Sequence, residues 1–188
     1  MDRRHALRLV LASSWPMAAI QAQASPDAAE WLRKGGCVLM LRHAQTDPGT
    51  GDPPDFNLSR CSTQRNLSQA GRDQAQRIGS WLAERRLSAS SVQSSAWCRC
   101  RDTADLAFGQ FAVLPALNST FNEPTPQAAQ TRLLAARLRS LSSGSFEIWV
   151  THQVNITAFT GEFAGVGEAV VVRAEGSSQR VLARTTFT

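Results

Sequence analysis

The chain is nearly free of lysine, and it is poor in aromatic residues. Lys34 is the only lysine among 20 basic residues, and aromatic side chains make up 7% of the 188 residues. The arginines are scattered along the sequence, whereas a nucleic-acid surface usually gathers its basic residues on one face or helix. The composition therefore argues against nucleic acid as a partner. Arginine itself, whose planar fork matches phosphate, permits a protein that handles phosphate.

The sequence also lacks an apolar run long enough for a comfortable membrane span. The apolar stretch at residues 9–20 is too short for a span and is interrupted by Ser and Pro. It follows a charged segment and precedes Ala22-Gln23-Ala24, the small-x-small pattern that signal peptidases read. This order predicts a signal peptide over residues 1–24, with cleavage before Ser25 and export to a bacterial periplasm or secretion. Arg3-Arg4 is also compatible with a twin-arginine signal. The alternative is a retained amphipathic anchor or a disordered tail.

Removal of this leader leaves 164 residues, enough for one domain with a sizeable core. The formal charge of the whole chain is +5, and it becomes +3 without Asp2, Arg3, Arg4 and Arg8. We therefore expect a single domain over residues 25–188.

Short apolar runs alternate with helical patterns along this domain. Residues 37–41 form a continuous apolar run of strand length, typical of a central strand buried on both faces. Ser68 is a typical N-cap for a helix that runs to about Arg86. Strands that alternate with helices predict an α/β fold, here a three-layer α/β/α sandwich with a largely parallel central sheet. The other strands are expected at 91–94, 111–114, 146–150, 168–173 and 180–184, and the other helices at 28–34, 97–108, 125–141 and 154–160.

Several large apolar residues are expected to build the core. The helix that follows Ser68 repeats apolar residues at helical spacing, and the helix at 125–141 carries three inward leucines. The tryptophans are expected to pack in the core rather than to form a ligand platform. The residues concerned are Ala75, Ile78, Trp81 and Leu82 on the first helix, Leu133, Leu134 and Leu138 on the second, and Trp97 and Trp149 elsewhere.

Histidine is scarce as well, and two of the three histidines follow strands. His5 lies in the predicted leader, whereas His43 follows the run at 37–41 and His152 shortly follows the run at 146–150. Ligands of open α/β sheets bind just beyond the carboxyl ends of the strands. Two histidines in equivalent positions therefore predict one shared site.

The residues around these histidines suit phosphoryl transfer. A neutral imidazole is a competent nucleophile, and the charge of a transferring phosphoryl group requires several fixed cations around it. Arg42 adjoins His43, and Arg99 follows the second strand near a helix start, where backbone N–H groups also favour anions. A protonated His152 would add a further positive donor.

The motifs around the two arginines resemble those of the histidine phosphatase superfamily, also called phosphoglycerate mutase-like. Residues 41–46, Leu-Arg-His-Ala-Gln-Thr, are similar to the Arg-His-Gly motif that follows the first strand in this family, with Ala44 in place of glycine. Residues 94–104 fit a Ser-Ser-x-x-x-Arg-x-x-x-Thr-Ala pattern, whose register selects Arg99 over Arg101.

Two further motifs follow in the family's order. Residues 65–75 are similar to the Leu-Ser/Thr-x-x-Gly-x-x-Gln-Ala segment that opens the first large helix, and residues 150–152, Val-Thr-His, supply the second histidine. The four motifs span residues 38–160, most of the predicted mature chain. The resemblance implies a phosphatase that needs no cofactor or metal and acts on a small phosphorylated molecule. Hydrolysis is preferred over mutase activity, because the chain has little inserted sequence to enclose a substrate in two orientations.

The resemblance also implies a role for each site residue. His43 becomes phosphorylated, and Arg42, Arg99 and His152 form the phosphate pocket. Arg65 matches an arginine that precedes Leu-Ser/Thr in small members of the family, so it is a second-tier candidate for substrate binding. The other arginines nearby are expected to be solvated helix charges, namely Arg72, Arg77 and Arg101.

The chain departs from the family pattern at the general acid, which protonates the leaving oxygen. One branch has a glutamate after the third strand, where this chain offers Asn118, and the other has an aspartate after the second histidine, where Gln153 stands. Without an acid, an enzyme is slower on ordinary alcohol phosphates by about two to four orders of magnitude.

Three explanations remain open for this departure. The substrate has a good leaving group, a carboxylate from elsewhere serves, or the protein binds phosphorylated ligands without turning them over. An interaction module on the same fold is a further alternative. The candidate carboxylates are Glu123, just past the third strand, and Asp47, Asp52 and Asp55 in the long loop at 44–66.

The four cysteines fit an oxidising compartment. Cys37 lies within the first strand and is expected to be a buried free thiol. Cys61 could pair with either Cys98 or Cys100, and the sequence does not decide between them. Metal binding by Cys98-x-Cys100 is the competing interpretation, but zinc pairs prefer a wider spacing and no second pair follows.

Overall fold

The computed structural model describes residues 27–49, 51–121 and 126–187. The predicted signal peptide and the candidate acid Glu123 lie outside these residues. Within them, no helix is both long and apolar enough to cross a membrane. The helices are α1 (Ala28–Lys34), α2 (Gln69–Glu84), α3 (Cys98–Phe108), α4 (Gln127–Arg139) and α5 (Gln153–Thr160). The strands are β1 (Cys37–Arg42), β2 (Ser91–Ser94), β3 (Ala112–Val113), β4 (Phe146–Thr151), β5 (Ala169–Glu175) and β6 (Ser178–Thr185).

These six strands form one sheet in the order β3-β2-β4-β1-β5-β6. The first four in that order run parallel, and β5 and β6 form an antiparallel hairpin beside β1. The register pairs Arg42 of β1 with Thr151 of β4. The next residue of each strand is a histidine, and the N–H of His43 donates to the carbonyl of Thr151 at 3.0 Å. His43 and His152 therefore leave the sheet side by side.

Helices cover both faces of the sheet. The side chains of β1 alternate between two cores, because successive residues of a strand point to opposite faces. Cys37, Leu39 and Leu41 pack with residues of α1, α2 and α3, whereas Val38 and Met40 pack with residues of α4 and α5. This arrangement confirms the predicted three-layer α/β/α sandwich, and it explains why the sequence of β1 is apolar at every position before Arg42.

Helix α2 begins and packs as predicted. The hydroxyl of Ser68 accepts a hydrogen bond from the N–H of Gly71 at 3.1 Å, and this N–H is one that a helix start leaves without an intrahelical partner. The apolar residues predicted for its inner face are all buried, namely Ala75, Ile78, Trp81 and Leu82.

The prediction for helix α4 is wrong at Leu133, which is 63% exposed. Leu134 and Leu138 lie one helical turn apart and are each 2% exposed. Leu133 projects about 100° around the axis from Leu134, which carries it off that narrow apolar face. The helix also ends at Arg139 rather than at residue 141.

The edges of the sheet differ from the prediction in length. Strand β3 is reduced to Ala112–Val113, and both residues are exposed at the outermost position of the sheet. The hairpin of β5 and β6 is longer than expected, because pairing continues to a tight turn at Gly176-Ser177. Gly176 has a φ of +60°, which suits the first central position of such a turn.

Candidate active site

The two histidines lie at the carboxyl ends of neighbouring parallel strands, and both are buried. His43 is 2% exposed and His152 is 4% exposed. Their rings meet edge to face, with centroids 5.5 Å apart. The structure thus brings together two residues that are far apart in the sequence.

His43 is held in one tautomer. Its Nδ1 lies 2.8 Å from the carbonyl oxygen of Ala44, and a carbonyl only accepts hydrogen bonds, so Nδ1 carries the proton and Nε2 keeps its lone pair. Burial, and next the charge of Arg99, lower the pKa of His43 to about 3. Because an imidazole attacks in its neutral form, Nε2 is ready as a nucleophile at neutral pH.

His152 is held between Ser95 and Arg99. Nη2 of Arg99 donates to Nδ1 of His152 at 3.4 Å, and Nε2 of His152 donates to the hydroxyl of Ser95 at 2.9 Å. Burial and the neighbouring His43 lower the pKa of His152 well below its ordinary value. His152 is therefore neutral at neutral pH in this structure, so it is not the protonated donor that the sequence led us to expect. A bound anion would favour its protonation.

Three arginines, Arg42, Arg65 and Arg99, line one cavity with the two histidines. Burial and the charges of Arg65 and Arg99 lower the pKa of Arg42, and burial and Arg99 lower the pKa of Arg65. Nε of Arg42 and Nε of Arg99 are buried and donate to no atom of the described residues. Three positive charges therefore lie close together, and two of them have a buried N–H group with no acceptor among the described residues. An anion bound between them would stabilise such a site.

Asp52 is the ion-pair partner of Arg99. Its Oδ1 lies 2.8 Å from Nη1 of Arg99 and accepts the backbone N–H of Arg65 at 2.9 Å. Burial raises the pKa of Asp52, but the hydrogen bonds from Arg99 and Arg65 outweigh it and hold the pKa below its usual value. Asp52 is therefore ionised at neutral pH.

The long loop at 44–66 is fastened over the cavity by a disulfide between Cys61 and Cys98. Beside it, Oε1 of Gln64 accepts the backbone N–H of Cys98 at 2.9 Å. Cys98 immediately precedes Arg99, so these bonds tie the loop that carries Asp52 and Arg65 to the helix that carries Arg99.

The remaining cysteines are free and buried. Cys37 lies within β1, as predicted. Sγ of Cys100 lies 3.5 Å from Nε2 of His152, and burial raises the pKa of this thiol to about 12. The pairing of Cys61 is thus with Cys98, and the metal pair Cys98-x-Cys100 is wrong because one of its sulfurs is in a disulfide.

The motif at the start of α2 positions the backbone that follows His43. Oε1 of Gln74 accepts the N–H of Gln45 at 2.9 Å, and Nε2 of Gln74 donates to the carbonyl of Val166 at 3.2 Å. A Cβ on Gly71 would collide with the carbonyl oxygen of Gln45. Only glycine therefore lets the helix approach this closely, and Gly71 and Gln74 act on the strand exit rather than on the ligand.

The cavity has a volume of about 580 Å³, and apolar residues line it beside the charged ones. The apolar residues are Phe56, Leu58, Trp97, Phe121 and Val154, and Ser119 and Gln153 are further polar groups. Phe121 is 77% exposed. Trp97 belongs to the core, but its ring also lies 5.4 Å from that of His152. The expectation of core packing alone is therefore incomplete for Trp97.

The candidate acids differ in placement. Asp52 lines the cavity, whereas Asp47 and Asp55 are exposed and do not line it. Asn118 stands where one branch of the family has its acid, and its Oδ1 accepts the N–H of Ala96 at 2.8 Å. Among the residues that the structure describes, Asp52 is the sole carboxylate that lines the cavity.

Two parts of the site were missed in the sequence. Ser95, which binds His152, lies within the quoted Ser-Ser motif, so its position carried a signal that was not used. The pairing of Asp52 with Arg99 joins residues 47 positions apart, and no sequence pattern connects them.

Comparison with known proteins supports this description. The sequence matches the family model of the histidine phosphatase superfamily, branch 1, over residues 38–124. No curated protein matches the chain at a significant level of sequence similarity.

Several solved structures have a similar fold, and each aligns with this chain over nearly its whole length. The open reading frame Rv3214 from Mycobacterium tuberculosis has 18% identity and a TM-score of 0.61, with 80% of this chain and 97% of that chain covered. A mycobacterial glucosyl-3-phosphoglycerate phosphatase in complex with VO3 has 17% identity and a TM-score of 0.56, with 77% and 96% covered. The protein histidine phosphatase SixA in complex with tungstate has 14% identity and a TM-score of 0.54, with 80% and 96% covered.

The family model spans residues 38–124, which include Arg42, His43, Arg65 and Arg99. His152 lies beyond the residues that the family model matches. The motifs and the topology agree with the match of residues 38–124 to the histidine phosphatase superfamily.

Proposed function

We propose that this protein is a phosphatase that hydrolyses small phosphate monoesters, or related phosphorylated molecules, through a phosphohistidine on His43. One observation carries the proposal. A neutral, buried histidine with a free Nε2 lines the same cavity as three arginines and a second histidine. The binding of tungstate and VO3 by two relatives of the same fold supports an oxyanion in such a cavity.

In the first step, Nε2 of His43 attacks phosphorus, and the bond from phosphorus to the leaving oxygen breaks. The hydrogen bond from Nδ1 to Ala44 keeps the nucleophilic lone pair on Nε2. The negative charge on the phosphoryl oxygens is balanced by Arg42, Arg65 and Arg99, which act by preorganised electrostatics. His152 gains a proton as the anion binds beside it and becomes a further donor.

In the second step, water attacks the phosphorus of the phosphohistidine, and the electrons of the N–P bond return to Nε2 of His43. The same arginines bind the phosphoryl group in both steps, so hydrolysis needs no second phosphate site. We favour hydrolysis over mutase activity because one phosphate site is enough for hydrolysis. No cofactor takes part in either step.

A non-catalytic phosphate-binding protein is the second candidate. It is favoured by Asn118 and Gln153, which stand where the two branches of the family carry their acid. Such a protein would keep the arginines and histidines and bind phosphate without turnover.

Turnover of p-nitrophenyl phosphate separates the two functions, because this substrate has a leaving group that departs without an acid. We expect turnover and a base-stable, acid-labile phosphoenzyme with the wild type, and neither with His43→Ala. Both proteins should be folded by circular dichroism. If the folded wild type turns over no faster than His43→Ala, the phosphatase is excluded and the binding protein remains.

We also propose that the protein works outside the bacterial cytoplasm, in the periplasm or after secretion. The leader-like order of residues 1–24 and the disulfide beside Arg99 support this location. Cell fractionation of the full chain tests it. Recovery of the uncleaved chain in the cytoplasmic fraction would contradict export.

A further inference from the structure

Asp52 forms an ion pair, but its position in the cavity points to a further role. It lines the cavity with His43, and its side chain is 12% exposed. Both of its hydrogen bonds fall on Oδ1, from Arg99 and from the backbone of Arg65, whereas Oδ2 makes none with the described residues. One carboxylate oxygen is thus anchored, and the other is available to a bound molecule.

The pairing of Asp52 competes with a phosphate for the same cation. Arg99 is 4% exposed, and its Nη1 is engaged by Asp52. A phosphate dianion in the cavity attracts Arg99 more strongly than a single carboxylate does, because it carries twice the charge at a similar distance. As Arg99 turns to the phosphate, Asp52 loses its main stabilising partner and acquires an anionic neighbour. Both changes favour protonation of a carboxylate.

We propose that Asp52 is the proton donor to the leaving group and the proton acceptor from the attacking water. This inference rests on the proposed phosphohistidine mechanism and supplies the acid that the sequence places at neither customary position. In the ligand-free protein Asp52 occupies Arg99 as an internal anion, and the substrate phosphate replaces it there.

The proton and electron balance closes over the two steps. As the bond from phosphorus to the leaving oxygen breaks, its electrons go to that oxygen, which takes the proton from Oδ2 of Asp52 and leaves as an alcohol. Water then attacks phosphorus, the N–P electrons return to His43, and the water proton goes to Oδ2. Asp52 is protonated again when phosphate departs, and it releases this proton when it pairs with Arg99 once more.

The charged and titratable groups around Asp52 belong to both sides of the cavity. Arg99 and Arg65 contact it, and the shared cavity also contains Arg42, His43 and His152. In this structure Arg99 and Arg65 keep Asp52 ionised. A phosphate neutralises them together, so a single ligand changes the protonation preference of Asp52.

Asp52→Asn tests the proposal, because Asn keeps the size of the side chain and cannot carry the proton. Asp55→Asn is the matched control, since Asp55 lies three residues further along the same loop, is exposed and does not line the cavity. Phosphoenzyme formation is followed by base-quenched rapid mixing with p-nitrophenyl phosphate and with n-butyl phosphate, whose leaving alcohol needs a proton.

With Asp52→Asn, we expect phosphoenzyme formation from n-butyl phosphate to fall by about 100-fold or more, and formation from p-nitrophenyl phosphate to change much less. The phosphoenzyme should accumulate, since water lacks its base. The inhibition constant of inorganic phosphate should decrease, because Asn competes weakly for Arg99. Asp52→Glu, which keeps a carboxyl group, should restore part of the loss, and Asp55→Asn should behave as wild type.

Three results would overturn the role of Asp52. An equal loss with both substrates, together with weaker phosphate binding, would make Asp52 a positioning residue for Arg99. No loss with either substrate would remove it from the reaction. A leaving-group-dependent loss in Glu123→Gln instead would assign the proton to Glu123. Absence of any phosphoenzyme in the wild type would be a failure of the proposed function itself, which is a different result from all three.

Discussion

The two halves of the cavity are built in different ways. The strand-end half comprises Arg42 at the end of β1, the residues that directly follow β1 and β4, His43 and His152, and Arg99 in the first turn of α3. The loop half comprises Asp52, Phe56, Leu58 and Arg65, which lie in the long segment between β1 and α2. Backbone pairing between β1 and β4 holds the first half, whereas a disulfide and a few side-chain hydrogen bonds hold the second.

The two halves also carry different functional groups. The strand-end half carries the nucleophile and most of the positive charge, and these positions follow from the sheet register. The loop half carries the carboxylate that engages Arg99. Changes in the first half should therefore abolish the reaction, and changes in the second should alter which substrates react and under what conditions.

Arg99 joins the two halves, and its removal should have the largest effect. Arg99→Ala deletes the contact with His152 and leaves Asp52 without its partner. We expect kcat/KM for p-nitrophenyl phosphate to fall by about 1000-fold, the scale of a lost preorganised charge at a transition state. Arg101→Ala, at an exposed position on the same helix, is the control. Similar losses in the two variants would contradict the placement of Arg99 in the site.

The disulfide should be the main support of the loop half. Cys61→Ser opens a loop of 37 residues, and the free energy of unfolding should decrease by about 4 kcal/mol. Because Asp52 and Arg65 lose their fixed positions, kcat/KM should fall by about 100-fold. Urea unfolding and steady-state kinetics measure both, with Ser62→Ala as an exposed control in the same turn. A variant as active as the wild type would show that the loop holds its place without the bond.

Acid should destabilise the strand-end half in particular, since both buried histidines belong to it. The pKa of His43 is about 3 in the folded protein, against about 6.5 in an unfolded chain. The unfolded state therefore binds more protons between these values, and stability decreases as the pH falls through that range. We expect His43 to account for about 3 kcal/mol of stability lost between pH 7 and pH 4.

Urea unfolding at the two pH values measures this loss, and His43→Gln should show a smaller one. His152 acts in the same direction, because its pKa is lowered as well. An identical pH dependence in wild type and variant would mean that His43 is not buried as a neutral ring.

Gly71→Ala tests how the two halves meet at the exit of β1. The added Cβ collides with the carbonyl oxygen of Gln45, so either the helix or the strand exit has to move. We expect a loss of about 1–3 kcal/mol in stability and a lower kcat. Thermal unfolding and turnover measure these effects, and Gln76→Ala, exposed on the same helix, is the control. Unchanged stability and turnover would show that the backbone after His43 tolerates displacement.

The sequence was a good guide to the sheet and to the strand-end half. Residues 37–41 are apolar without interruption because both faces of β1 are covered, so the strand and its central place were visible in the pattern. His43 and His152 come together because parallel neighbours end at the same edge. The spacing within residues 94–104 also separated Arg99, which lines the cavity, from the exposed Arg101.

The loop half could not be predicted in the same way. Residues 44–66 have no periodicity, and their conformation depends on the Cys61–Cys98 bond and on contacts with distant residues, such as that of Asp52 with Arg99. Asp52 and Asp55 are the same residue type in the same loop. Only the tertiary structure shows that Asp52 lines the cavity and that Asp55 is exposed. Leu133 failed for a related reason, because an apolar stripe does not reveal how wide the buried face is.

Arg42 is already immobilised before any ligand arrives. Its guanidinium donates to the carbonyl of Ala164 at 2.9 Å and lies 6.0 Å from the ring centre of Phe163. A free arginine side chain loses about 2 kcal/mol of rotamer entropy when it is ordered. Here that loss accompanies folding instead of association, so the binding of an oxyanion at Arg42 should carry a small entropic penalty. Isothermal titration with inorganic phosphate would show this as a favourable heat with little opposing entropy.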